Sequence, residues 1–326
     1  IRPRMPCAYE ELSVTRTGGH TRAYLKVQDG CDRFCSYCLI PYARGRSRSR
    51  SEENILREAR TLAENGYREI VLTGIHLSSY GQQSKDREGV AERGDVTEKG
   101  AAPEENGTAL AALLEKLDAI EGIERIRLSS LEPTIVGEAF VGRLAGVKKL
   151  CPHFHLSLQS GCNETLKRMN RRYTTEAYRA SVERLRRAFS HPAITTDVIA
   201  GFPGETEEEF AETEGFLREL SFYEIHVFPY SVRQGTRAEK LPGQLSEAVK
   251  KERVGRVLAL TREQAREFRA WYLGKEAEIL LEEPVSFAGK QGHSGYTREY
   301  VKLFMPGGAP NTFARGTVGE ELLLME

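Results

Sequence analysis

Three closely spaced cysteines constrain this chain more than any other feature of its sequence. Cys31, Cys35 and Cys38 form a C-x3-C-x2-C pattern within the run GCDRFCSYCLIPYARG. Iron–sulfur cubanes normally take four cysteine ligands, so three thiolates from one loop would leave one iron open to another ligand. A redox cofactor with its own amine and carboxylate would suit that iron. The alternative is a zinc site lacking its fourth ligand, but zinc sites mostly use regularly spaced C-x2-C pairs.

The composition is that of a globular protein from a reducing compartment. The chain has 326 residues, which suggests one large domain and one small domain. Its six cysteines, three of them in the triad, do not form a disulfide framework, so we expect a cytoplasmic protein. No apolar run reaches the roughly 18 residues of a membrane span, and we expect no membrane partner.

Charge is balanced over the whole chain but clustered locally. The 47 basic and 47 acidic residues give a formal net charge of zero, which does not indicate a nucleic-acid partner. Two basic clusters follow the cysteines: Arg44, Arg46, Arg48 and Arg50, and then Lys167, Arg168, Arg171 and Arg172. The sequence leaves open whether each cluster is a binding surface or a solvated face.

Strand and helix patterns alternate through most of the chain. Strands are predicted at 23–28, 69–73, 125–129, 154–158, 194–200 and 224–229. Helices are predicted from the Ser51 cap to Gly66 and at 109–120, 175–188, 207–220 and 246–273. This alternation predicts an α/β fold with a parallel sheet, whose reactive loops gather at the carboxyl ends of the strands.

Three segments depart from that alternation. Residues 1–20 are polar and irregular, and we interpret them as a linker from a missing N-terminal domain. Residues 81–108 have almost no large apolar side chain, which predicts a mobile loop whose role the sequence does not indicate. Residues 274–326 show short alternating runs with glycine and proline, typical of a small all-β barrel.

The motifs resemble those of a known enzyme family. The cysteine run, with Tyr37 before the third cysteine, resembles the signature of radical S-adenosylmethionine (radical SAM) enzymes. From Ala23 onward the chain resembles the MiaB/RimO-type methylthiotransferases, which share LTGIH, LSLQSG, MNRR, DVIAGFPGET and PYSVRQGT. GYTREYVKL resembles part of a TRAM domain. The resemblance implies a radical SAM partial (β/α)6 barrel at 21–273 and a TRAM-like RNA-binding domain at 274–326.

Within that family, three segments resemble the MtaB type: VQDGCDRFCSYCLIPYARG, LSSLEP and FPYSVRQGTRA. The resemblance implies methylthiolation at C2 of N6-threonylcarbamoyladenosine at position 37 of tRNA. The implied partners are the anticodon arm of tRNA, a reductant such as flavodoxin or ferredoxin, and a sulfur donor. Alternatives are a methylthiotransferase acting on isopentenyladenosine-37 or on a ribosomal protein, another radical SAM enzyme, and a non-catalytic iron–sulfur RNA-binding module.

The implied cofactors are a [4Fe–4S] cluster and S-adenosylmethionine. The metal ligands and catalytic residues would be Cys31, Cys35 and Cys38. The candidate contacts to S-adenosylmethionine lie near the cysteines, within or just after predicted strands, or in the MNRR motif: Tyr37, Gly74, Ser130, Glu132, Gln159, Arg171, Ile199, Gly201 and Phe202. Arg171 would pair with the methionyl carboxylate, whereas the scattered histidines, His76 among them, are interpreted as structural.

One departure from the family pattern concerns a second cluster. The family carries an N-terminal domain whose three cysteines hold a second [4Fe–4S] cluster, whereas this chain has only Cys7 before the triad. We therefore expect a fragment that cleaves S-adenosylmethionine without completing methylthiolation. We also expect residues 275–326, through Arg298, Lys302 and Arg315, to bind the anticodon arm together with the arginine-bearing helix before them.

Overall fold

The computed structural model describes Tyr9, residues 21–82 and residues 107–325. The predicted linker at 1–20, apart from Tyr9, and most of the predicted loop at 81–108 lie outside the described residues. In the part of the chain that is described, every helix is too short or too polar to cross a membrane.

Parallel strands form the larger part of the fold. The strands are β1 (Arg22–Asp29), β2 (Arg48–Ser49), β3 (Glu69–Gly74), β4 (Arg125–Leu128), β5 (His153–His155), β6 (Ala193–Ala200) and β7 (Glu224–Pro229). Two sheets, ordered β2-β1-β3-β4 and β5-β6-β7, are joined by parallel bridges between Ile126 and Leu150 and between Leu131 and Leu156. Within the described residues this gives six parallel strands in chain order, with the short β2 antiparallel at the edge. The predicted α/β partial barrel is confirmed.

Helices follow most of the strands, and all but the short first helix, which belongs to the cysteine loop, cover the outer face of the barrel. They are α1 (Ile40–Arg44), α2 (Glu52–Glu64), α3 (Thr108–Asp118), α4 (Glu138–Gly146), α5 (Asn163–Arg168), α6 (Thr175–Ala188), α7 (Glu207–Leu220) and α8 (Glu247–Ala270). Their apolar faces pack on Leu25, Leu72, Phe154 and other strand residues in one continuous core. The helices therefore leave the strand ends free to carry loops.

Local signals account for the elements that the sequence predicted well. Helices α6 and α7 and strand β7 have the predicted bounds. In α7, the Thr206 side chain accepts from the Glu209 amide while the Glu209 carboxylate accepts from the Thr206 amide, as a capping box requires. Strand β5 ends at His155 rather than at the predicted residue 158, because Leu156 and Gln159 pair alternately with β4 and β6 regions. Helices α1, α4 and α5 were missed, although the apolar spacing of Phe140, Val141 and Leu144 indicates α4.

The C-terminal residues form an antiparallel sheet, confirming the predicted all-β character. Its strands are β8 (Glu276–Phe287), β9 (Lys290–Tyr296), β10 (Lys302–Pro306), β11 (Phe313–Thr317) and β12 (Leu323–Leu324), in the order β11-β8-β9-β10-β12. Its apolar core includes Ile279, Leu303 and Leu322, together with Tyr223 and Ala265 from the α/β part. This second apolar core thus extends across the junction into the α/β part.

The C-terminal sheet docks against the amino ends of the parallel strands. Arg22, the first residue of β1, pairs with Glu282 at 3.0 Å. Arg125, the first residue of β4, donates to the Tyr296 carbonyl at 2.8 Å. Arg127 donates to the Arg298 carbonyl at 2.9 Å. The opposite, carboxyl ends of the strands remain available for the cysteine loop and the other predicted site motifs.

Glu69 is the buried counter-charge of this junction. Its side chain is 1% exposed and accepts a hydrogen bond from Arg127 at 2.9 Å. The guanidinium of Arg125 lies 4.0 Å from the same carboxylate. Burial alone would raise the pKa of Glu69, but the charge and hydrogen bond of Arg127 outweigh burial and lower it. Removing one partner would leave a buried charge uncompensated, which is more costly than losing both.

We expect Arg127→Met to lower the free energy of unfolding by about 3–5 kcal/mol, because the buried Glu69 would lose its hydrogen-bonded partner and keep Arg125 only at 4.0 Å. The control is Arg315→Gln, which removes an exposed pair with Glu278 and should cost about 1 kcal/mol or less. Urea unfolding followed by circular dichroism measures both. The double variant Arg127→Met/Glu69→Gln should recover part of the loss, and an Arg127→Met protein as stable as the control would contradict this assignment.

Candidate active site

The cysteine loop leaves the carboxyl end of β1 through a glycine that no other residue can replace. Gly30 has a φ of +72°, and a Cβ atom there would lie 1.9 Å from the Arg46 carbonyl oxygen. The Cys31 amide donates to the Gly45 carbonyl at 3.1 Å, which closes the loop on itself. The position after β1 and the tight turn are therefore fixed by the backbone.

Backbone contacts from distant segments clamp the middle of the loop. The Ser36 amide donates to the Met169 carbonyl at 2.9 Å, and the Ser36 carbonyl accepts from the Ala238 amide at 2.8 Å. The Asn170 side chain donates to the Phe34 carbonyl at 2.9 Å. The segments after α5 and after β7 thus hold the cysteines in place.

The three thiols share one half-buried environment. Burial raises the pKa of Cys31 to about 11, and the neighbouring Cys35 and Cys38 add to the effect. Burial also raises the pKa of Cys38. Arg171 Nη1 donates to Cys35 Sγ at 3.3 Å, a contact that stabilises a thiolate.

The donor set fits a cluster better than a single metal ion. Among the residues described, no three His, Cys, Asp or Glu side chains converge closely enough to hold one ion. A cubane binds each thiolate on a different iron, so it accepts ligands that are spaced more widely. Bound iron would also deprotonate Cys31 and Cys38 despite their raised pKa values.

Glu132, after β4, is the centre of the charge arrangement beside the cysteines. Its carboxylate is 4% exposed and pairs with Arg33 at 2.6 Å and with Arg171 at 3.5 Å. His76 Nε2 lies 3.2 Å from the same carboxylate, and the Glu132 amide donates to Ser78 Oγ at 2.8 Å. Burial would raise the pKa of Glu132, but the hydrogen bond from His76 and the charges of Arg33 and Arg171 lower it far below its usual range.

The ion pairs of Glu132 place Arg171 and His76 in surroundings that the sequence did not predict. Arg171 is paired with Glu132 and Cys35 inside the protein, in addition to any carboxylate that S-adenosylmethionine would bring. His76, interpreted as structural from the sequence, faces the site through Glu132. Arg33 was missed, and its place between two of the three cysteines was the signal that could have found it.

Gly74 ends β3 against the buried side chain of Gln28, which was not among the predicted site residues. A Cβ atom at Gly74 would lie 3.0 Å from both Cβ and Oε1 of Gln28. Gln28 Oε1 accepts from the His76 amide at 2.7 Å, and its Nε2 donates to the Asp29 and Gly30 carbonyls. Gln28 therefore orients both the turn after β3 and the start of the cysteine loop.

Aromatic side chains pack behind the loop. The Tyr37 ring meets Phe202 edge to face at 6.3 Å, and Phe202 meets Tyr230 in the same way at 5.3 Å. Phe202 is fully buried, while Ile199 is partly buried against the same group. The predicted contacts of Tyr37, Ile199 and Phe202 to S-adenosylmethionine remain predictions, since these side chains also form a small core of their own.

The remaining candidates lie at strand ends with distinct backbone roles. Gly201 has a φ of +76°, and a Cβ atom there would lie 2.5 Å from Lys250 Cγ, so close packing on α8 already requires glycine. Gln159 has a φ of +73° and bridges to Val198. Ser130 is exposed, whereas its neighbour Ser129 has a buried hydroxyl without a hydrogen-bond partner in the described structure.

The two basic clusters separate into internal and exposed members. Arg48 pairs with Asp29 at 2.9 Å and Arg50 with Glu58 at 2.5 Å, while Arg44 and Arg46 are exposed. In the second cluster, Arg168 pairs with Glu209 and Arg171 with Glu132. A run of basic residues in the sequence therefore does not show which of its members are exposed.

The geometry agrees with the comparison to known families. Residues 25–217 match the Radical SAM superfamily. The chain belongs to that superfamily. The cofactors predicted from the sequence, a [4Fe–4S] cluster and S-adenosylmethionine, are those of radical SAM enzymes, and the three grouped thiols fit the cluster.

Bacterial relatives of this chain carry the names of tRNA-modifying enzymes. The chain is 42% identical over 301 residues to threonylcarbamoyladenosine tRNA methylthiotransferase MtaB of Bacillus subtilis strain 168, covering 92% of this chain and 62% of the relative. It is 40% identical to tRNA-2-methylthio-N(6)-dimethylallyladenosine synthase of Alkaliphilus oremlandii, covering 81% of this chain and 52% of the relative. The chain thus spans between half and two thirds of these relatives.

A solved structure supports the fold. Coproporphyrinogen III oxidase (HemN) from Escherichia coli, a radical SAM enzyme, superposes with a TM-score of 0.54 over 90% of this chain and 68% of the other, at 15% identity. At that identity the likeness concerns the fold alone.

We expect the triple variant of this radical SAM protein, with Cys31, Cys35 and Cys38 changed to alanine, to lose the visible absorbance of the anaerobically reconstituted cluster. The controls Cys151→Ala and Cys162→Ala change buried cysteines outside the loop and should keep it. Iron and sulfide analysis of each purified protein checks the result. A cluster retained by the triple variant would contradict the ligand assignment.

Proposed function

We propose that this chain belongs to a tRNA methylthiotransferase that modifies C2 of N6-threonylcarbamoyladenosine at position 37. The observation that carries the proposal is the clamped cysteine loop at the carboxyl ends of the strands, beside the buried arrangement of Arg33, Glu132 and Arg171. The relatives named for tRNA modification support RNA as the substrate. A reductant such as flavodoxin or ferredoxin, a sulfur donor and a cytoplasmic location belong to the same proposal.

Each residue of the arrangement has a defined part in this function. Cys31, Cys35 and Cys38 would hold the cluster, which when bound and reduced supplies the electron that cleaves S-adenosylmethionine. Arg171 donates an N–H to Cys35 Sγ and is itself held by an ion pair with Glu132. The hydroxyl of Ser129, at the end of β4, is buried without a hydrogen-bond partner in the described structure, which is costly unless a ligand supplies one.

The charge around the site favours the threonylcarbamoyl substrate over the isopentenyl one. A threonylcarbamoyl group carries a carboxylate and a hydroxyl, whereas an isopentenyl group is apolar. Arg33 is partly exposed, and its Nε is buried without a hydrogen-bond partner among the described residues. A partly exposed guanidinium suits a substrate carboxylate, and it would be poorly matched to an isopentenyl chain.

The test uses a host strain that lacks its own threonylcarbamoyladenosine methylthiotransferase gene and expresses the full gene encoding this chain. Nucleoside chromatography with mass spectrometry of its tRNA should detect the methylthiolated threonylcarbamoyladenosine, with isopentenyladenosine unchanged. Arg33→Met should reduce the product at least about tenfold, because the carboxylate loses its charged partner.

The matched control is Arg57→Met, which removes an exposed arginine of α2 and should leave the product level unchanged. Methylthiolation of isopentenyladenosine instead, or of neither nucleoside, would overturn the proposed substrate.

A further inference from the structure

Two loops at the carboxyl end of the barrel carry exposed side chains that the cofactor site does not use. We define the mouth rim as Tyr42, Arg44 and Arg46, which follow the cysteines, with Arg233 and Arg237, which follow β7. These loops adjoin, since the Ala238 amide donates to the Ser36 carbonyl at 2.8 Å. A Cβ atom at Gly235 would also lie 3.9 Å from Leu39.

The rim arginines are exposed, and most lack internal partners. Arg46 is 70% exposed, pairs with Asp32 at 3.1 Å and lies over the Phe34 ring at 5.3 Å. Within the described residues, the side chains of Arg44, Arg233 and Arg237 have neither an ion pair nor a hydrogen bond. Tyr42 is 54% exposed and contacts the Phe34 ring edge to face.

The rim is cationic although the chain as a whole is neutral. Residues 30–46 and 230–241 together contain six Lys and Arg residues against two acidic ones, compared with 47 against 47 in the whole chain. Exposed arginines with an exposed aromatic ring form the type of surface that binds phosphates and stacks on an unpaired base.

The C-terminal sheet is less suited to the RNA contact expected from the sequence. Residues 275–326 contain five Lys and Arg residues against eight Glu residues. Arg298 donates to the Leu150 carbonyl at 2.8 Å, and Arg315 pairs with Glu278 at 2.7 Å. The sheet also docks at the amino ends of the strands, at the opposite end from the cysteines.

We propose that the mouth rim binds the RNA phosphates that flank the reacting nucleotide, with Tyr42 stacking on a neighbouring unpaired base. The inference rests on the proposed function, because it takes tRNA to be the substrate. A base that reacts beside the cysteines must leave its stack in the RNA. Contacts at the mouth rim would hold the RNA strand on either side of that base.

The experiment compares two triple variants of the reconstituted holoprotein. The rim variant is Arg44→Gln/Arg233→Gln/Arg237→Gln, and the control on the C-terminal sheet is Lys290→Gln/Lys302→Gln/Arg315→Gln. Fluorescence anisotropy measures affinity for a tRNA transcript and for its anticodon-arm hairpin across a salt series. Cluster absorbance confirms that each variant is intact.

We expect the rim variant to bind tRNA at least tenfold more weakly. The salt slope should fall by about 0.7–0.9 for each phosphate that an arginine no longer neutralises. The sheet variant should stay within about twofold of the parent. Tyr42→Leu should weaken binding with the salt slope unchanged, because stacking does not release counterions.

The two proposals fail in different ways. Reduced affinity in the sheet variant but not in the rim variant would overturn the rim alone and assign the RNA contact to the C-terminal sheet. A parent holoprotein that binds neither RNA would overturn both the rim and the proposed substrate class.

Discussion

The candidate site depends on one buried carboxylate that joins loops from distant parts of the chain. Glu132 pairs with Arg33 from the loop after β1, with His76 from the turn after β3 and with Arg171 from the segment after α5. Either arginine alone would be costly to bury, and so would the carboxylate alone. The paired side chains fix the cysteine loop relative to the ends of β3 and β4. Arg171 also contacts Cys35 directly, so the same pairs help to position that cysteine.

The two ends of the barrel have separate tasks. At the amino ends, Glu69 and the arginines of β1 and β4 hold the C-terminal sheet through buried ion pairs and backbone carbonyls. At the carboxyl ends, the backbone clamps around Ser36 and the Glu132 pairs order the loops that carry the cysteines. These two groups of contacts involve the same strands but different side chains. A substitution that breaks the contacts at one end of the barrel therefore need not change the structure at the other end.

Local chemistry explains which elements could be predicted from the sequence. The bounds of α6 and α7 follow from Thr174 and Thr206 caps and from apolar spacing, all of which lie within a few residues. The cysteine triad could be predicted for the same reason, because its three residues lie within one short segment. Strand β5 was predicted too long because its end is set by pairing with β4 and β6 regions rather than by its own residues.

The partners of the site residues could not be predicted in the same way. Arg171 contacts Cys35 across 136 residues of sequence, and His76 contacts Glu132 across 56. The same limit applies to the basic clusters, since only the fold shows that Arg48 and Arg50 are internal while Arg44 and Arg46 are exposed. Spacing identifies a group of ligands, but pairing over such distances requires the folded chain.

A cubane held by only three protein thiolates has one iron that differs from the others and is open to a small-molecule ligand. Electron–nuclear double resonance on the anaerobically reduced protein can detect that ligand, using S-adenosylmethionine with an isotopically labelled amine nitrogen. The assignment of Cys31, Cys35 and Cys38 predicts a hyperfine coupling between the label and the cluster. A reduced cluster that shows no such coupling at saturating S-adenosylmethionine would contradict it.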